Sequence, residues 1–245
     1  MKQVAMNTAP PPAFGDPPPP DLTQHAAVLR PPARQWPVHC GMIALDITGF
    51  ARRADPHLQL HLRQALYRIT HEACRSAGLD WDACHREDRG DGLLLIAPPA
   101  AGVHILLHPL VGHLLAGLRA HNKVAGRSAR LRLRMAVHAG FVYADPYGVT
   151  GTAVNHLFRL LEAPAFKAAA TGDLALIVSG YLYEEAAVHR LGLPGPDRLT
   201  PLTITSKETR TVAWTWQPTG PRPDRLARAL QQDGRPPRRQ RRQRR

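Results

Sequence analysis

GMIALDITGF (41–50) decides how the chain folds. Met42 to Leu45 and Ile47 make a short apolar run, bounded by Gly41 before it and Thr48-Gly49 after it. That is the pattern of a strand buried on both faces. Asp46 breaks the run one residue from its end, where a sheet fixes the backbone while the carboxylate faces the open rim. A second such carboxylate stands in REDRGDGLLLI (86–96), where Asp91 lies between Gly90 and Gly92 at the foot of another apolar run. Taken singly, either aspartate reads more readily as a turn or capping residue. Converging from neighbouring strands, the two make a seat for one or two hard divalent cations, which hold and polarise phosphate oxygens.

Working outward from this pair, apolar residues from His57 to Ala77 recur at helical spacing, with Gly78 as a C-cap candidate. LDWDACHRE (79–87) and GLLLIAP (92–98) flank the EDRGDG turn and read as an antiparallel hairpin. A second amphipathic helix is predicted over 103–122. LRLRMAVHAG (131–140) alternates basic and apolar residues, as a half-exposed strand does, and a third helix runs over 151–170 with a break around Pro164. LALIVSG (174–180) reads as a buried strand, YLYEEAAVHR (181–190) as a short helix, and PLTIT and TVAWTWQ as closing strands. The order is β-α-β-β-α-β with a further α-β extension. This predicts an α+β, ferredoxin-like fold, an antiparallel sheet with helices on one face.

The flanks differ in kind. Residues 1–37 hold ten prolines, including PPP and PPPP, and read as a disordered proline-rich linker. Residues 218–245 carry ten Arg against Asp224 and Asp233, or +8 of the chain's net +13, and read as a disordered cationic tail. The domain between, 38–217, holds only +4 once the +1 of the N-terminal stretch is removed. The basicity therefore belongs to the tail, whose expected contacts are anionic surfaces, nucleic acid or lipid. Cys40, Cys74 and Cys84 are widely spaced with no CxxC pair, so they read as free thiols of a reducing compartment. With no apolar stretch of spanning length and no secretory leader, the expected location is the cytoplasm.

Two further segments carry chemistry. In GTAVNHLFRLLEAP (151–164), Asn155 and Arg159 stand four apart and project from the same side of a helix. They can orient a sugar hydroxyl and neutralise charge on a transferring phosphorus, or simply continue a solvated stripe with Glu162. In TSKETRTVAW (205–214), Lys207 is one of four lysines in an arginine-rich chain and can meet a triphosphate as a mobile point charge.

LDITGF, the RGDG turn, the VHAG strand end and GTAVNxxxRL, in this order over roughly 40–215, resemble the class III nucleotidyl cyclase catalytic domain. The resemblance implies that Asp46, Asp91 and the Ile47 carbonyl bind two divalent cations, Mg or Mn. It implies that Asn155 and Arg159 stabilise the transition state and that Lys207 binds the triphosphate. It further implies a homodimer with composite sites, turning a nucleoside triphosphate into a 3′,5′-cyclic nucleotide and pyrophosphate.

At the family's two base-selecting positions the chain matches neither standard pattern, since Glu87 is the residue common in guanylyl cyclases while Gly148 offers no side chain. Four residues before Asp91 stands Glu87, and seven before Asn155 stands Gly148. Glu87 can accept from a guanine edge, which leans the reading to GTP, while Gly148 leaves a pyrimidine nucleotide open. An inactive cyclase-fold module that binds nucleotide for regulation is the alternative. His85, His138 and His156 lie near these motifs; none is expected as a base, and His138 is expected to be structural.

Overall fold

A computed structural model describes residues 37–188, 199–206 and 209–218. The expectations for both flanks and for Lys207 fall outside these residues. The domain begins with β1 (Val38–Ile47), which enters α1 (Pro56–Ser76) through a short 3-10 turn. Asp55 caps that helix by accepting from the His57 N–H at 2.9 Å, and Pro56 sits at its first position, where no N–H is needed. Gly78 follows the Ala77 cap at φ +74°, the left-handed turn that ends a helix. β2 (His85–Asp88) and β3 (Gly92–Ile96) form the expected hairpin, although only the end of LDWDACHRE is strand.

The second predicted helix is two. Pro109 cannot donate to a helical ladder, so α2 (His104–Leu107) stops before it and α3 (Leu110–Val124) starts after it. β4 (Leu133–Asp145) runs past its predicted end and turns back as β5 (Gly148–Thr150). Then come α4 (Thr152–Glu162), α5 (Pro164–Ala169), β6 (Leu174–Ser179), α6 (Gly180–Val188), β7 (Thr200–Ser206) and β8 (Thr209–Trp216).

The strands lie in the order β2-β3-β1-β4-β6-β8-β7, with β5 paired to β4 alone. The first four are mutually antiparallel, as the ferredoxin-like reading requires; β6 then joins β4 in parallel. Helices cover both faces rather than one. Ile43, Leu45, Leu93, Met135 and Val137 point to α1, α3 and α6. Met42, Ala44, Leu94, Ala136 and Ile177 point to α4 and α5. The extension thus roofs the face that a bare βαββαβ unit leaves open. Val154, Leu157, Leu160 and Leu161 of α4 are buried there, each contributing about 1.5–3 kcal/mol.

Period-two alternation then places the polar residues. Asp46 shares the parity of Met42 and Ala44, Arg134 that of Ala136, and Glu87 stands opposite Leu94. All three belong to the sheet face covered by α4.

Candidate functional site

Asp46 is only 5% exposed and stands directly across from Arg134 on β4 and Gly92 on β3. Arg134 grips it with both arms, Nε donating to Oδ1 at 2.8 Å and Nη2 to Oδ2 at 2.6 Å. Burial pushes the Asp46 carboxyl above its usual range; the Arg134 bonds and charge oppose that rise, and Glu162 and Asp91 add to it. Asp91, next to the Gly92 that faces Asp46, is thus near enough to act on the Asp46 carboxyl. Glycine at 92 is a packing requirement, because a Cβ there would overlap the Leu45 carbonyl oxygen.

Asp91 itself is exposed, on a turn held from two sides. Its carbonyl accepts from the Ile47 N–H at 2.9 Å, while its own N–H donates to the Arg89 carbonyl at 3.0 Å. On the other flank of β1 the Leu133 N–H goes to the Asp173 carbonyl at 2.9 Å. Neither neighbouring main-chain donor is thus directed to the Ile47 carbonyl. From α1, Arg63 donates to both oxygens of Asp88 and to the Gly90 carbonyl. Asp88 also accepts from the Gly90 N–H at 2.6 Å. The turn that presents Asp91 is locked before any ligand arrives.

Glu87 and Gly148 meet across the sheet. Glu87 Oε1 accepts from the Val149 N–H at 3.2 Å and lies 3.0 Å from His85 Nε2, and Oε2 accepts from Arg89 Nη2 at 2.5 Å. Burial raises the Glu87 carboxyl, but His85, Arg89 and the Val149 N–H outweigh it and hold the group below its ordinary range. Gly148 has φ +138°, and a Cβ there would stand 2.8 Å from Glu87 Oε1. The missing side chain is what lets the acid lie where it does. The Arg89 guanidinium sits over the Phe158 ring of α4, 4.8 Å from its centroid.

On α4 the Asn155 side chain is exposed and Arg159 is half-buried, its Nη1 donating to Thr209 Oγ1 at 2.7 Å. His138 is buried: its Nδ1 lies 2.8 Å from the buried Ser179 hydroxyl and its ring 4.8 Å from that of His156. Burial pushes its pKa down to about 4, so it is neutral at pH 7. Among the described residues no three His, Cys, Asp or Glu side chains converge as a metal cluster, and no helix is long and apolar enough to cross a membrane.

Sequence reasoning missed Arg134 and Arg63, and it did not bring Arg89, a charged departure in the EDRGDG turn, together with Phe158. The alternation of LRLR put Arg134 on a strand, but only the β1–β4 register pairs it with Asp46. Arg89 and Phe158 are 69 positions apart and carry no local signal.

No family profile and no curated protein matches the sequence. Solved structures do match the fold. An adenylate/guanylate cyclase/hydrolase from Silicibacter pomeroyi superposes at TM-score 0.57 and 20% identity, covering 76% of this chain and all of that one. The guanylate cyclase domain of a rhodopsin-cyclase from Catenaria anguillulae, solved with GTP, superposes at 0.52 and 15% identity over 76% of this chain and 98% of that one. A bacterial light-regulated adenylyl cyclase gives 0.55 at 14% identity, over 82% of this chain and 58% of that one. The architecture is that of the adenylate/guanylate cyclase catalytic domain.

Proposed function

We propose that the chain is a nucleotidyl cyclase, converting a nucleoside triphosphate to its 3′,5′-cyclic nucleotide and pyrophosphate in a homodimer with composite sites. The observation that carries this is the Asp46–Asp91 rim at the end of the sheet face covered by α4, the helix that bears Asn155 and Arg159. Two carboxylates sharing one field, beside the Ile47 carbonyl, form an all-oxygen donor set suited to Mg or Mn. Arg134 takes one lone pair from each Asp46 oxygen and leaves the other free, so the residues fit two hard cations. When bound, such ions supply charge to the triphosphate oxygens and acidity to the ribose hydroxyl.

The protein's own groups do the rest. Arg134 fixes the plane of the Asp46 carboxylate, and Arg63 fixes the turn under Asp91. Asn155 orients the ribose so that its 3′-oxygen faces the α-phosphorus. Arg159, steadied by Thr209, neutralises the charge that builds on that phosphorus, and Lys207 holds the departing phosphates. Phe141, Tyr143 and Tyr147 lie exposed on the β4–β5 hairpin beside the start of α4, an apolar surface suited to a second copy.

The test is incubation of the full chain with ATP, GTP, CTP and UTP and Mn²⁺, with detection of cyclic product. Asp46→Ala and Asp91→Ala should each abolish it; turnover surviving in both would sink the metal seat. One observation favours a second reading, a module that binds nucleotide without turnover: both Asp46 oxygens are already engaged by an arginine. Metal-dependent nucleotide binding with no product would select it.

A further inference from the structure

We infer that Arg89, not Glu87, reads the base, and that it selects bases carrying a carbonyl, guanine and uracil, over those carrying an exocyclic amine, adenine and cytosine. The inference rests on the nucleotide-cyclising reading of this site and names its substrate class.

Glu87 is already engaged on both oxygens, with His85 and the Val149 N–H at one and Arg89 at the other. A base edge would have to displace one of these partners to reach it. Arg89 is placed differently. One Nη2 bond tethers it to Glu87 and its plane rests on Phe158. Among the described residues, no hydrogen bond engages its Nε or Nη1. It is also partly open to solvent, with 42% of its side chain exposed. Phe158 lies one residue before Arg159 and three after Asn155, so the guanidinium stands along the same helix as the groups that hold sugar and phosphate.

A guanidinium only donates. Guanine offers it O6 and N7, and uracil offers O4. Adenine and cytosine present an amine at the equivalent position, which would set donor against donor. Gly148 completes the arrangement. A side chain there would press on Glu87 Oε1 and so disturb the carboxylate whose other oxygen tethers Arg89.

The full chain is assayed with each of the four triphosphates and Mn²⁺, and kcat/KM is compared; where a nucleotide binds without turning over, Kd ratios serve. GTP and UTP should exceed ATP and CTP by about tenfold, within the range of one well-formed base contact. Arg89→Gln, whose amide both donates and accepts, should bring that ratio to about one, and Glu87→Gln should move it the same way by loosening the tether. Unchanged Tm in both variants separates selection from folding. A wild-type preference for ATP or CTP, equal use of all four, or an unmoved ratio in Arg89→Gln each overturns the inference and leaves the cyclase reading standing. No binding of any triphosphate overturns both.

Discussion

At the scale of single residues, Arg134 has the largest consequence for stability. Its partner Asp46 is buried and already carries a raised pKa, so removing the guanidinium strands a carboxylate in a poor environment. Arg134→Leu should cost about 3–5 kcal/mol at pH 7, measured by denaturant unfolding. The cost should shrink on acidification, because a protonated Asp46 no longer needs a counter-charge. Gly92→Ala should cost about 1–3 kcal/mol through the overlap with the Leu45 carbonyl. His138 sets a different pH dependence. Its folded pKa of about 4 lies below the ordinary histidine value of about 6.5, so the unfolded chain binds its proton first. Its contribution is complete above pH 6.5 and is lost at about 1.4 kcal/mol per unit as pH falls from there towards 4. His138→Gln should flatten that part of the stability profile.

At the scale of elements, the Arg63 clamp joins α1 to the Asp91 turn without touching the core. The Arg63–Asp88 pair is about three-tenths exposed on both sides, so its stability worth is small. Arg63→Leu should lower Tm little yet raise the Mn²⁺ concentration needed for half-maximal activity several-fold; an unchanged metal dependence would show the clamp to be ornamental. Here the reach of the sequence becomes clear. β1, β3 and β6 were legible because unbroken apolar runs between glycines and turn residues are local signals. α4 was legible because its packing and polar positions follow one helical period. The break at Pro109 and the hairpin from β4 to β5 were not anticipated. GVT is too short to show alternation, and its partner strand had no punctuation at Gly140. The strand-end positions of Asp46 and Asp91 could be read from the apolar runs beside them, whereas the Arg134, Arg89 and Phe158 contacts depend on register and on how α4 crosses the sheet.

At the scale of the whole molecule, the two halves of the proposed site lie on different elements of one chain, and a two-fold partner would bring complementary halves together. Mixing Asp46→Asn chains with Asn155→Ala chains should therefore restore activity that neither has alone. Random pairing makes half the dimers mixed, each with one intact site, so about a quarter of wild-type activity should return. No recovery, with mixed dimers present, would place all the groups in one protomer. Phe141→Glu with Tyr143→Glu should shift the chain towards monomer in sedimentation and lower activity at dilute protein.

The contact between Gly148 and Glu87 also constrains how this chain can change over generations. A methyl at 148 is strained by the φ of +138° and would also displace the Glu87 carboxylate, and the acid cannot leave without freeing Arg89. Their overlap exists only while both side chains are present, so a double-mutant cycle of Gly148→Ala with Glu87→Ala should show non-additive energies between them. A lineage altering residue 148 would thus be expected to change β2 and the β4–β5 hairpin together.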